Sequence, residues 1–330
     1  MIQMFTLPYD VLLGEPPTNS LFFSLLYVFG TIAASAFFLW YGGTIAAAAA
    51  EPGLDAAMIE SITGLKGVLN EKENTFKVSE PRSDVPITVE QARLAPFMGF
   101  TSWAAFAPGM KEEFMLMGDM VLFEDEVNPV MSVALDNGLL VTALHNHFFF
   151  DEPKVYFMHI GGEGPADELA EGVRVIFEKV KEIRATTAQP AKTFGSGQLP
   201  EKSSIDGEAI GQVFGQKGDA NNGMYKVTIG REVEMDGHKV GNTTGVNTWA
   251  AFAGTQDDAL VVGDFAILGN KLQTVLKTLR GANINIVAIR QHMTGENPRT
   301  MFLHYYGRGK ALALAEGVKA AVNTQLLAFN

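Results

Sequence analysis

The 330-residue chain contains no cysteine, which excludes disulfides, thiolate nucleophiles, iron-sulfur clusters and cysteine-based zinc sites; any metal must rest on histidine, carboxylate or carbonyl ligands. Positive charge is also scarce. Lys and Arg total 25 against 37 Asp and Glu, a formal charge of -12 that repels phosphate backbones and demotes nucleic acid as a partner. No Lys or Arg precedes Lys66, although Asp10, Glu15, Glu51, Asp55 and Glu60 do. With 47% hydrophobic and only 19% charged residues, the chain has enough apolar side chain to bury a sizeable core.

Between Leu21 and Ala50 charge of either sign is missing altogether. The run from Leu21 to Tyr41 is built mostly of Leu, Phe, Ala, Ile and Val, and as a helix rising about 1.5 Å per residue it spans roughly the 30 Å hydrocarbon slab of a bilayer. Residues 21–43 therefore read as a transmembrane anchor, with Trp40 and Tyr41 where an interfacial aromatic belt falls. A cleaved export signal is the competing reading, since Ala46 to Ala50 supplies small residues for a peptidase. The length of the run and the absence of a basic leader favour the anchor. Residues 1–20, with Met4, Phe5, Leu7 and Leu12, form an apolar leader that either follows the bilayer or a partner, or is a disordered tail.

The remainder is duplicated. At a constant offset of 145, Gly118-Asp119 matches Gly263-Asp264, His147 matches His292, Pro153 matches Pro298, His159 matches His304, and Leu169 to Val173 matches Leu314 to Val318. Just upstream, Trp103-Ala-Ala-Phe106 matches Trp249-Ala-Ala-Phe252 at an offset of 146. A repeat of this length is a domain. The expected architecture is α+β, with two tandem homologous sandwich-like repeats, 55–184 and 205–330, joined by a Gly, Pro and Ser-rich linker at 185–204. Each repeat reads as strands, an amphipathic helix, a strand hairpin and a closing helix, so that helices pack on a largely antiparallel sheet. The helices are expected at 126–137 and 271–280, the hairpin around the Asp151-Glu152-Pro153 turn, and the closing helices at 166–183 and 310–327. Trp103 and Trp249 read as core anchors.

Trp103-Ala-Ala-Phe106, the Gly118-Asp119 strand, Glu124 to Met131, and Thr142-Ala-Leu-His-Asn-His147 followed by Phe157-Met-His159 resemble the LppY/LpqO family of exported bacterial proteins across roughly residues 55–325. The resemblance implies an exported location and no particular reaction. Lipoprotein members carry a cysteine to lipidate; its absence here leaves the apolar segment as the visible anchor.

Five of the six histidines fall in the two hairpins. His145 and His147, two apart on a strand, project to one face, and the hairpin brings His159 toward them. Three imidazoles with Glu126, or Glu124, as the acidic member form a donor set for Zn or Cu with an open position for water. The second repeat has Arg290 in place of His145 and Lys271 in place of Glu126, so Arg290, His292 and His304 read as an anion-binding group. The alternative is structural: His147 and His159, retained in both repeats, hydrogen-bond across a strand pair. Two functions follow as expectations. The first is a membrane-anchored, exported (periplasmic) accessory or binding protein, held through residues 21–43 and contacting integral-membrane proteins. The second is an exported Zn- or Cu-dependent hydrolase using His145, His147 and His159.

Overall fold

The computed structural model describes residues 53–325; the leader 1–20 and the apolar segment 21–43 lie outside the described residues. Among the described residues no helix is long and apolar enough to cross a membrane. The first repeat runs α1 (Ala56–Thr63), β1 (Gly67–Asn70), β2 (Thr75–Pro81), β3 (Thr88–Val89), β4 (Ala92–Arg93), β5 (Thr101–Pro108), β6 (Phe114–Phe123), α2 (Glu124–Asp136), β7 (Leu140–His145), β8 (Asp151–Glu152), β9 (Val155–Gly164) and α3 (Ala166–Thr186). The second repeats the order with α4 (Gly207–Phe214), β10 (Asp219–Asn221), β11 (Met224–Gly230), β12 (Val233–Met235), β13 (His238–Val240), β14 (Asn247–Gly254), β15 (Ala259–Leu268), α5 (Leu272–Gly281), β16 (Asn285–Arg290), β17 (Glu296–Asn297), β18 (Thr300–Gly309) and α6 (Ala311–Thr324).

The α+β class and the duplication stand as read, but the two repeats do not form two separate sheets. A single 12-stranded antiparallel sheet runs β1-β2-β5-β6-β9-β7-β16-β18-β15-β14-β11-β10, a palindrome of equivalent strands about the β7–β16 junction. Leu144 pairs with Ile289 there. Away from that pair, each strand finds its partner in a side chain. Asn128 of α2 donates to Ile286 O at 3.1 Å and accepts from Ile286 N at 2.8 Å. The equivalent Gln273 of α5 accepts from Val141 N and donates to Val141 O, both at 2.9 Å. Each repeat thus uses one amide side chain to satisfy backbone groups that would otherwise lack a ladder partner in the other.

The six α-helices among the described residues contribute to one face of the sheet, where a continuous apolar cluster runs from Ile59 to Val322 and includes residues of both repeats. On α3, Leu169, Ala170, Val173, Ile176 and Phe177 are buried at helical spacing, the pattern of an amphipathic helix on a core. Gly172 accounts for part of the shared Leu-Ala-Glu-Gly-Val motif, because a Cβ there would lie 2.9 Å from the Leu139 side chain. The other face is mostly open. Two three-stranded flaps, β4-β3-β8 and β13-β12-β17, cover one end of each half over small apolar clusters centred on Phe123 and Phe157 and on Ala266 and Phe302. The residues read as a hairpin turn, Asp151 and Glu152, are in fact the flap strand β8, paired with Thr88 and Val89. The linker residues are irregular from Thr187 to Asp206.

Candidate functional site

Between the flaps, the open face carries a row of side chains in register across the strands. In the first repeat Ser79 faces Trp103, Trp103 faces Asp119, Asp119 faces His159 and His159 faces Ala143. In the second the row is Thr228, Trp249, Asp264, His304 and Ala288. The glycine preceding each Asp permits the close approach. A Cβ on Gly118 would fall 2.7 Å from Trp103 O, and one on Gly263 would fall 2.2 Å from Trp249 O. The tryptophans are not the core anchors their pattern suggested. Both lie half-buried on the open face, with Lys77 Nζ 4.2 Å above the Trp103 ring and Lys226 Nζ 4.4 Å above Trp249.

His145 ends β7 and His147 lies just beyond it, yet the rings meet as the two-residue spacing requires. Their Nε2 atoms are 3.2 Å apart, one donating to the other. His147 lies flat on Phe157, with ring centroids 3.3 Å apart and planes at 4°. His159 meets His145 edge-on at 4.9 Å between centroids, and its Nε2 is turned toward Asp119 Oδ2 at 3.7 Å. Burial and the positive charges that His159 and His147 would carry hold the His145 imidazole below the ordinary histidine range, and Asp119 opposes them. His147 is lowered by burial and by His159. Burial pushes the Asp119 carboxyl up against the pull of His159 and His145. Its Oδ1 is buried and has no hydrogen-bond partner.

In the second repeat the same positions close around a cation. Arg290 Nη2 donates to Asp264 Oδ2 and to His304 Nε2, both at 3.1 Å, and Nη1 lies 3.3 Å from His292 Nδ1. The Asp264 carboxylate neutralises the guanidinium and takes one donor, the imidazoles of His292 and His304 take one each, and Nη1 also donates to Gln291 O at 3.4 Å. Arg290, His292 and His304 are brought together as expected, but as an internally paired group with little donor capacity left for an anion.

Two expectations need correction. Glu126 is fully buried and belongs to another network. It accepts from Arg82 Nη1 and Nη2, both at 2.6 Å, and from Phe123 N at 2.8 Å, and it lies 2.9 Å from Arg184 Nε. Its lone pairs are committed to the buried Arg82 and to the start of α2, with Arg184 ion-paired beside it, so it is unavailable as a ligand; Glu124 instead lines a pocket of about 390 Å³ with Tyr156 and Tyr306. The carboxylate beside the histidines is Asp119, whose repeat partner Asp264 was visible in the sequence. The second correction concerns closure. As the side chains stand, no group of three or more His, Asp or Glu among the described residues is placed to hold a metal ion.

The two clusters adjoin. With Leu144 opposite Ile289, the next residues of each strand, His145 and Arg290, point to the open face as diagonal neighbours, a relation that puts Cα atoms about 7–8 Å apart. One patch at the junction of the repeats therefore gathers five histidines, two aspartates and an arginine.

The sequence model of the family described as Domain of Unknown Function (DUF1259) matches residues 57–179 and 208–324, one stretch in each repeat and together more than half of the chain. No curated protein and no solved structure matches it.

Proposed function

We propose, from the premise that the chain belongs to the Domain of Unknown Function (DUF1259) family, that it is a membrane-anchored accessory protein. Residues 21–43 tether it, its body is exported to the periplasmic side, and the open face and rim of that body contact an integral-membrane partner. The observation that carries this reading is an apolar rim found on one repeat only. Phe97 is 98% exposed, Phe149 79% and Phe150 77%, with Met98 also exposed. These residues flank the stacked pair Phe100 and Phe148, whose ring centroids are 5.3 Å apart. At the equivalent positions the second repeat has Thr243, Thr244, Thr294 and Gly295. The fold does not need large apolar side chains there, and clustered exposed ones mark a contact surface. The hydrolase reading requires a metal-bound water, so it stands or falls with the cation site considered below.

The test takes the second repeat's residues as a guide. Native membranes are solubilised mildly, and the full-length chain is compared with the Phe97→Thr, Phe149→Thr and Phe150→Gly triple variant on a native gel. Wild type is expected to migrate in a larger assembly and the variant as the free chain. Migration of wild type as a free chain, or its release from membranes with the leader removed, would overturn the proposal.

A further inference from the structure

We infer that the first repeat binds a divalent metal cation through His145, His147, His159 and Asp119, in the place where the second repeat holds the Arg290 guanidinium. This inference is independent of the rim and of any partner.

The two halves of the molecule carry equivalent positions, one with a cation of its own and one without. In the second repeat, one carboxylate and two imidazoles, Asp264, His292 and His304, surround a covalently attached cation. The first repeat keeps all three, as Asp119, His147 and His159, and replaces the cation with a further imidazole, His145. It has therefore kept the lone-pair donors of a cation cage and lost the cation that belonged to the chain. The deficit shows at Asp119. Its counterpart Asp264 receives Arg290 on Oδ2 and the Phe265 N-H on Oδ1 at 2.9 Å. Asp119 Oδ1 is buried without a partner, and its Oδ2 has only the loose 3.7 Å approach of His159.

The donors suit a borderline ion such as Zn²⁺, for which imidazole nitrogen and carboxylate oxygen are ordinary ligands. Zinc to nitrogen bonds of about 2.0–2.1 Å at a tetrahedral angle place two ligand nitrogens about 3.3 Å apart. His145 and His147 Nε2 stand at 3.2 Å, so once the proton between them moves to the other nitrogen of its ring, the ion takes its place with little movement. Stacking on Phe157 fixes the plane of His147 and leaves its edge free to coordinate. The His159 ring, 44% exposed and turned toward Asp119, rotates to close the set. Asp119 then either takes the fourth position or holds the other nitrogen of His159, as carboxylates commonly do behind metal-bound histidines.

The repeat supplies its own controls. Full-length protein is stripped with chelator, and Zn²⁺ alone is titrated by calorimetry, with metal content read after desalting. Wild type is expected to retain one equivalent. His145→Arg recreates the arrangement of the second repeat, so it is expected to fold and to bind Zn²⁺ about 10–100-fold more weakly. The converse Arg290→His is expected to add a second equivalent. His159→Gln, which keeps a polar side chain of similar reach, provides a further loss-of-binding variant should His145→Arg unfold, as judged by circular dichroism. Wild type that retains no zinc, or folded His145→Arg and His159→Gln variants that both bind as wild type does, would overturn the inference. Neither result bears on migration of the rim variant.

Discussion

Replacing Asn128 with Leu removes the clasp that one repeat places on the other while keeping the size of the side chain. Asn128 is 4% exposed, and its amide is the partner of both the Ile286 N-H and the Ile286 carbonyl. Each buried backbone group left without a partner costs about 1–3 kcal/mol, and the better apolar burial of Leu returns about 1 kcal/mol, so a net loss of about 3 kcal/mol is expected. Gln273→Leu makes the same change at the equivalent place, where the side chain is only half-buried and water can reach the freed Val141 groups. About 1 kcal/mol is expected there. Both values come from equilibrium urea unfolding of the full-length chain in mild detergent, followed by circular dichroism, as a shift in midpoint at unchanged slope. Because one core and one sheet span both repeats, a single transition is expected. A loss below 1 kcal/mol for Asn128→Leu, a larger loss for Gln273→Leu, or separate transitions for the two halves would refute the reasoning.

Glu126→Gln removes the carboxylate that Arg82 and Arg184 share but leaves Arg82 its pair with Asp84 and Arg184 its pair with Asp125, so it is expected to cost about 1.5–3 kcal/mol by the same unfolding measurement, the range for a lost charge-assisted hydrogen bond; zinc content of the folded variant should be unchanged. Gly263→Ala should destabilise more than Gly118→Ala, since its Cβ would stand 2.2 Å from Trp249 O and 2.3 Å from the Tyr305 hydroxyl, against 2.7 Å from Trp103 O at Gly118; equal unfolding midpoints would contradict the packing of β5 on β6 and β14 on β15. In metal-free protein the His145 and His147 rings should titrate below the ordinary 6.5 when followed by NMR. A base whose folded-state pKa is lowered makes the unfolded chain the better proton acceptor, so these two groups should cost stability as pH falls through 6.5 and below.

Local periodicity carried much of the fold. The helix beginning near Glu126, the closing helices and the approach of His145 to His159 all rest on spacing within a few tens of residues, where the pattern of side chains and the backbone geometry coincide. The fusion of the repeats depends instead on Leu144 meeting Ile289 and on Asn128 reaching Ile286, contacts set by backbone pairing between distant segments. No feature of composition distinguishes β7 and β16 as neighbours from two strands in separate sheets. The choice of Glu126 over Asp119 has a similar cause. A carboxylate among Glu124, Asp125 and Glu126 is conspicuous, whereas Asp119 gains its place only when β6 is known to lie beside β9. The matched Gly118-Asp119 and Gly263-Asp264 pairs were the available signal, and close strand approach explains the glycine. The alternating Trp-Ala-Ala-Phe pattern does not reveal which face is covered, so Trp103 read as core although Ala104 and Phe106 are the buried members.

The joining of the two clusters at β7 and β16 is tested most directly by cross-linking. The chain has no native cysteine, so a His145→Cys and Arg290→Cys double variant carries thiols only at the junction. A rigid bis-thiol reagent spanning about 8 Å should close within one chain in high yield, as expected for diagonal neighbours on adjacent strands. Two separate adducts per chain, or linkage only between chains, would contradict a single sheet that brings both clusters to one patch.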